Sequence, residues 1–156
     1  MTGARGGTLL GIDLGGRRIG VAIAEQGIGA RALTTLPRGR TIDHDVSALR
    51  ELITRHGATE LVVGLPLDMR GTEGGQATET RAWAESIAAA LAIPLTLRDE
   101  RLTSHVAESR VGAAKRGASG GPPSRTRRDA HRARIDREAA AIILQDELDA
   151  RQAAGR

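Results

Sequence analysis

The chain has no cysteine, no phenylalanine and no tyrosine, and Trp83 is its one aromatic residue. Without cysteine there is no disulfide framework, no thiolate zinc site and no sulfur nucleophile, and nothing points to an oxidising compartment. Without Phe and Tyr, the platforms on which single-stranded bases stack cannot be built. A nucleic acid bound here is read through its backbone and shape, with a steep dependence on salt. Lysine is scarce too: of 23 basic residues, only Lys115 is not an arginine. The apolar runs are short, since Leu61 to Leu67 and Ala139 to Leu144 fall far below the roughly 18 residues of a membrane span. No secretory hydrophobic segment opens the chain. The expectation is a soluble, cytoplasmic protein that does not enter membranes.

What is present is charge, unevenly placed. The 156 residues suit a single domain and carry a formal net charge of +4. The stretch from Arg98 to Arg137, which includes Arg101, holds eleven basic residues against five acidic ones, so the remainder is slightly acidic. Guanidinium forks match phosphate oxygens bidentately, which makes this block a candidate phosphate-binding surface as well as an ordinary solvated one.

Periodicity organises the rest. TLLGIDL (Thr8 to Leu14) alternates Leu10, Ile12 and Leu14 with Leu9, Gly11 and Asp13, and predicts a strand. RIGVAIA (Arg18 to Ala24) and IGARALTTL (Ile28 to Leu36) predict two more, joined in an antiparallel meander. Ile42 to His56 has helical spacing at Val46, Leu49, Leu52 and Ile53. LVVGL (Leu61 to Leu65) is apolar on both faces, as a buried parallel strand is. A Gly-rich loop and a helix over Gln76 to Leu91 precede a fifth strand at Leu95 to Asp99, and two helices near Thr103 to Lys115 and Arg132 to Ala150 complete the order. The predicted class is α/β: a mixed five-stranded sheet, three strands antiparallel and two parallel, flanked by helices. The domain spans 8–150, with flexible ends at 1–7 and 151–156. The composition of Gly117 to Arg128 predicts a mobile basic loop.

Three carboxylates stand out. Asp13 ends the first strand beside Gly11, Gly15 and Gly16, which let a ligand approach the backbone. Glu100 closes the fifth strand, and Asp136 is placed in the opening turn of the last helix, able to face the sheet. If the first and fifth strands lie side by side, the three converge at one end of it. Their mutual repulsion calls for a counter-charge. An oxygen-only donor set selects Mg²⁺ or Mn²⁺, and a pair of such ions suits in-line displacement at phosphorus. Each acid taken alone is a weak signal and reads more readily as a turn or cap residue. Arg17 and Arg18 follow the Asp13 turn as candidate phosphate clamps, Arg18 reading equally as an outward strand residue, and Arg125, Arg127 and Arg128 are candidates for gripping RNA from the loop or belong to a disordered segment without function. Gly64 to Pro66 and Gly71 to Gly75 line a groove or simply connect strand to helix. Thr103 or Ser104 reads as a helix N-cap, Trp83 as a core residue, and no histidine is assigned to catalysis.

Four strings, GIDLGGRRIGVAIAE (Gly11 to Glu25), VVGLPLDMRGTEGGQA (Val62 to Ala77), RDERLTS (Arg98 to Ser104) and IDREAAAIILQ (Ile135 to Gln145), resemble the successive motifs of the YqgF, or RuvX-like, family, in its order and over about residues 8–148. The resemblance implies an RNase H-like fold related to Holliday-junction resolvases. It also implies a nuclease that matures the 5′ end of pre-16S rRNA, with Asp13, Glu100 and Asp136 as its acidic triad. Arg137 is a bulky cation where the family pattern has something smaller or neutral. Two other functions share these residues: cleavage of branched DNA, and non-catalytic RNA binding in ribosome assembly. A phosphotransferase of the actin and sugar-kinase type closes two such domains around ATP, and this chain has one.

Overall fold

Alternation in the first strand decides what packs where. A computed structural model describes residues 6–100, 103–114, 117 and 120–155, the side chains of 103–105 excepted. The elements run β1 (Thr8–Leu14), β2 (Arg18–Ala24), β3 (Arg31–Pro37), α1 (Ile42–His56), β4 (Ala58–Leu65), α2 (Gly75–Leu91), β5 (Leu95–Asp99), α3 (Thr103–Val111) and α4 (Arg125–Ala154). They form one five-stranded sheet in the order β3-β2-β1-β4-β5, with β1–β3 antiparallel and β4 and β5 parallel to β1. This is the RNase H-like arrangement. Among the described residues, no helix is long and apolar enough to cross a membrane.

The two faces of the sheet differ in side-chain size. Leu10 and Ile12 of β1, Val21 and Ile23 of β2 and Val63 of β4 pack against Leu49 of α1 and Trp83 and Ile87 of α2. Each such aliphatic side chain, fully buried, contributes about 1.5–3 kcal/mol. The opposite face is pared down to Gly11, Gly20, Ala22 and Ala24, with Val62, and α4 lies on it through Ala140, Ala141, Ile143 and Leu144. A Cβ on Gly11 would come within 2.7 Å of Leu144 Cβ and 2.9 Å of the Ala140 carbonyl oxygen. Gly11 therefore makes room for a helix rather than for a ligand, contrary to the expectation from its place beside Asp13.

Other expectations are revised. β4 separates β1 from β5, so the first and fifth strands are not neighbours. β3 starts at Arg31 instead of Ile28, because the Ala30 N–H donates to Gln145 Oε1 at 2.9 Å and Gly27 turns the chain at φ 76°. α3 stops at Val111 rather than Lys115, where Gly112 adopts φ 79° and closes onto the Glu108 carbonyl. α4 begins at Arg125, not Arg132, capped by the Ser124 side chain, which accepts from the Arg127 N–H. Arg125, Arg127 and Arg128 thus lie in the first helical turn and not in a loop, and Asp136 lies well inside α4. The helix also runs to Ala154, so 151–154 are helical where a flexible end was expected; Arg151 pairs there with Glu60 of β4 and Glu147. Residues 1–5 lie outside the described residues.

α1 hides a carboxylate. Asp45, favourable in a first helical turn by sequence, is buried and accepts from the Gly39 N–H at 2.8 Å and from the indole N–H of Trp83 at 3.0 Å. Asp45→Ala leaves both donors unpaired in the core, and should cost about 3 kcal/mol in urea denaturation. A loss below about 0.5 kcal/mol would mean that neither bond stabilises the fold.

Candidate active site

Asp13 projects from β1 towards α4 and is paired in register with Gly20 of β2. Because Gly20 has no side chain, α4 settles directly onto the strand: a Cβ there would stand 2.0 Å from the Asp136 carbonyl oxygen. The glycine brings Asp136 to Asp13. Glu100 approaches from the other side, its N–H donating to the Leu65 carbonyl at 3.0 Å just past the end of β5. Gly64 of β4 stands between β1 and β5, where a Cβ would press on Ile143 Cδ1 at 2.4 Å and Glu100 Cγ at 3.4 Å. Across Gly64, Asp13, Glu100 and Asp136 line one pocket of about 520 Å³ at the C-terminal end of the parallel strands. Ligands in open α/β sheets settle at that end.

The loop after β4 forms the far wall through Pro66, Leu67 and Asp68 and through Gly74 and Gly75. Asp68 braces it, accepting from the N–H groups of Arg70 at 2.9 Å and Thr72 at 2.8 Å. The β1–β2 turn is held by Arg38, which donates to the Gly15 carbonyl at 2.9 Å.

Burial, reinforced by the charge of Asp136, pushes the Asp13 carboxyl from 3.8 up to about 7. Asp136 Oδ2 accepts from Arg18 Nε at 2.6 Å, with both side chains mostly shielded from solvent. Glu100 is 8% exposed, and Arg98 Nε lies 3.6 Å from its Oε1. Among the described residues, no three acidic or imidazole side chains are drawn together as a finished cation cage; Asp136 is turned towards Arg18. The donor set still fits a hard dication. It offers oxygen ligands only, and one of them is an acid that burial and like charge hold partly protonated near neutrality, a cost that a dication removes.

A second hollow of about 420 Å³ opens beside the first. Arg17 of the β1–β2 turn and Arg18, the first residue of β2, line it with Arg125, Arg128, Asp129 and Arg132 of α4. Four of the expected arginines therefore meet, while Arg127 is not in this wall and Arg101 lies outside the described residues. Arg132 was missed by sequence; it completes the helical stripe 125, 128, 132, invisible while 117–128 is read as a loop. His131, given no catalytic role by sequence, lines a third hollow with Arg18 and Asp136, and among the described residues its buried Nδ1 has no hydrogen-bond partner.

A mixed sheet with acids gathered beyond its parallel strands places the chain among proteins of the RNase H-like class. Comparison narrows this. The family model described as "RuvX: Holliday junction resolvase" matches residues 7–150. A relative from Anaeromyxobacter sp. (strain K), named "Putative pre-16S rRNA nuclease", is 47% identical over 91% of this chain and 96% of its own. One of the same name from Gloeothece citriformis (strain PCC 7424) is 41% identical over 92% and 88%. The chain belongs to the RuvX family. Among solved structures, RuvC of Thermus thermophilus is similar at 12% identity and a TM-score of 0.46, covering 87% of this chain and 92% of that one.

Proposed function

We propose that this protein is a metal-dependent nuclease that hydrolyses phosphodiester bonds in structured RNA and processes the 5′ end of pre-16S rRNA in the cytoplasm. The observation that carries the reading is the convergence of Asp13, Glu100 and Asp136 on one pocket whose neighbouring hollow is walled by arginines. The relatives' shared name supplies the substrate. Asp13, Glu100 and Asp136 would hold Mg²⁺ or Mn²⁺, which when bound supplies a water-derived nucleophile and stabilises the departing 3′-oxygen. The chain's own part is electrostatic and geometric. The buried Asp13 carboxyl sets the floor of the site, the braced loop through Asp68 limits access, and the arginines of the neighbouring hollow neutralise phosphate beside the cut.

Labelled pre-16S rRNA with Mg²⁺ or Mn²⁺ should be cut by the wild type, and Glu100→Gln should slow cutting by at least about a hundredfold. Equal cutting by both proteins would remove the carboxylates from the reaction. The family description favours a second substrate, a four-way DNA junction. In the same assay, preferential resolution of such a junction, with the rRNA left intact, would replace RNA by branched DNA.

A further inference from the structure

The arginine hollow holds five guanidinium groups and one carboxylate, a net charge equal to that of the entire chain. Two come from the β1–β2 turn and the start of β2, and three from one stripe of α4. Cations brought together from segments over a hundred residues apart repel one another unless an anion joins them. Among the described residues Arg17, Arg125 and Arg132 have no ion-pair partner, and Arg128 donates at 2.7 Å to the Pro123 carbonyl, which fixes its direction without neutralising it. The acidic neighbour, Asp129, is a single charge.

Arg18 belongs to both sites. It lines the arginine hollow, and its Nε binds Asp136, which lines the carboxylate pocket. The ion pair sets two demands on one guanidinium. While Arg18 serves Asp136, that carboxylate is engaged and the three acids make no cage. A phosphate that claimed Arg18 would free that carboxylate to turn towards Asp13 and Glu100.

We propose that Arg17, Arg18, Arg125, Arg128 and Arg132 form a seat for a backbone phosphate of the RNA, and that filling it draws Arg18 off Asp136, so that substrate and dication bind with positive coupling. This rests on the nuclease reading and names the part of that site that grips the strand. Coupling of this kind is reciprocal: the phosphate that improves cation affinity has its own affinity improved by the cation.

Two measurements test it, neither needing turnover. The first is anisotropy of a fluorescein-labelled RNA hairpin in EDTA, across roughly 50 to 200 mM salt. Arg125→Ala with Arg132→Ala should weaken binding and flatten the logarithmic salt slope by about 2. Arg50→Ala with Arg55→Ala, which removes the same charge from α1 across the sheet, should leave the slope unchanged. Equal slopes for the two double variants would reduce the hollow to diffuse attraction and overturn the seat. The second measurement is titration of the RNA-free protein with Mn²⁺, followed by the spin resonance of the free ion. Arg17→Ala reports the general effect of removing a nearby charge. Arg18→Ala should exceed it, binding Mn²⁺ about tenfold more tightly than Arg17→Ala; equal affinities would overturn the release of Asp136. A protein inert towards rRNA but with these slopes and affinities would lose the nuclease reading and keep the seat.

Discussion

Asp13→Asn should abolish cleavage and, at the same time, make the metal-free protein more stable at pH 8. Burial and Asp136 hold the Asp13 carboxyl at about 7 in the folded protein against 3.8 in the unfolded chain. Between those values the folded state keeps a proton that the unfolded state has lost, so stability falls as pH rises through this window. The contribution is fully present below about pH 4 and gone above about pH 7. The full difference corresponds to at most about 4 kcal/mol, of which asparagine, nearly the same in shape and never charged, removes the pH-dependent part. Melting of the two proteins, metal-free, should show a gap of several degrees at pH 8 that narrows towards pH 5. Saturating Mn²⁺ should raise the wild-type melting point at pH 8 and scarcely move the variant. A gap equal at both pH values would show that Asp13 ionises in the fold as it does in water.

Gly20→Ala should damage both fold and activity. The added methyl would lie 2.0 Å from the Asp136 carbonyl oxygen and 2.4 Å from its carbon. These are helix backbone atoms that cannot rotate away, so α4 must lift from β2. Overpacking of this sort costs about 3 kcal/mol or more. Because the displaced segment carries Asp136, cleavage should fall by at least about tenfold even at temperatures where the variant stays folded. Gly16→Ala is the control: its Cβ meets nothing within 4 Å, and its stability should stay within about 0.5 kcal/mol of the wild type. Circular-dichroism melts and urea titration decide; equal stability of the two variants would mean that α4 does not depend on the bare face of β2.

Much of this was legible in the residues, and the gaps have physical causes. The alternation of β1 sorts its two faces correctly, and the apolar run of β4 marks an interior parallel strand. Those patterns are local. The place of β4 between β1 and β5 is not local, and so the route by which Asp13 and Glu100 meet across Gly64 was not visible. Gly11 reads as permissive for ligand, and Gly20 goes unremarked, because sequence does not reveal which helix will lie on them. The start of α4 was missed although its signal is present: Pro122 and Pro123 followed by Ser124, whose hydroxyl caps the helix. The Gly- and Ser-rich composition around that signal outweighed it. Asp45 reads, like Asp43, only as an acid favourable in the first turn, since nothing near it in the chain announces that Trp83, 38 residues away, will donate to it.

α4 is one uninterrupted helix of 30 residues. Arg125, at its first turn, and Asp136 stand eleven residues apart on it, about 16 Å along the axis. A loop would let that separation breathe; a helix does not. If the first turn holds a phosphate while Asp136 serves the cut, the molecule behaves as a ruler, and the scission point is counted from the gripped phosphate, not chosen by base identity.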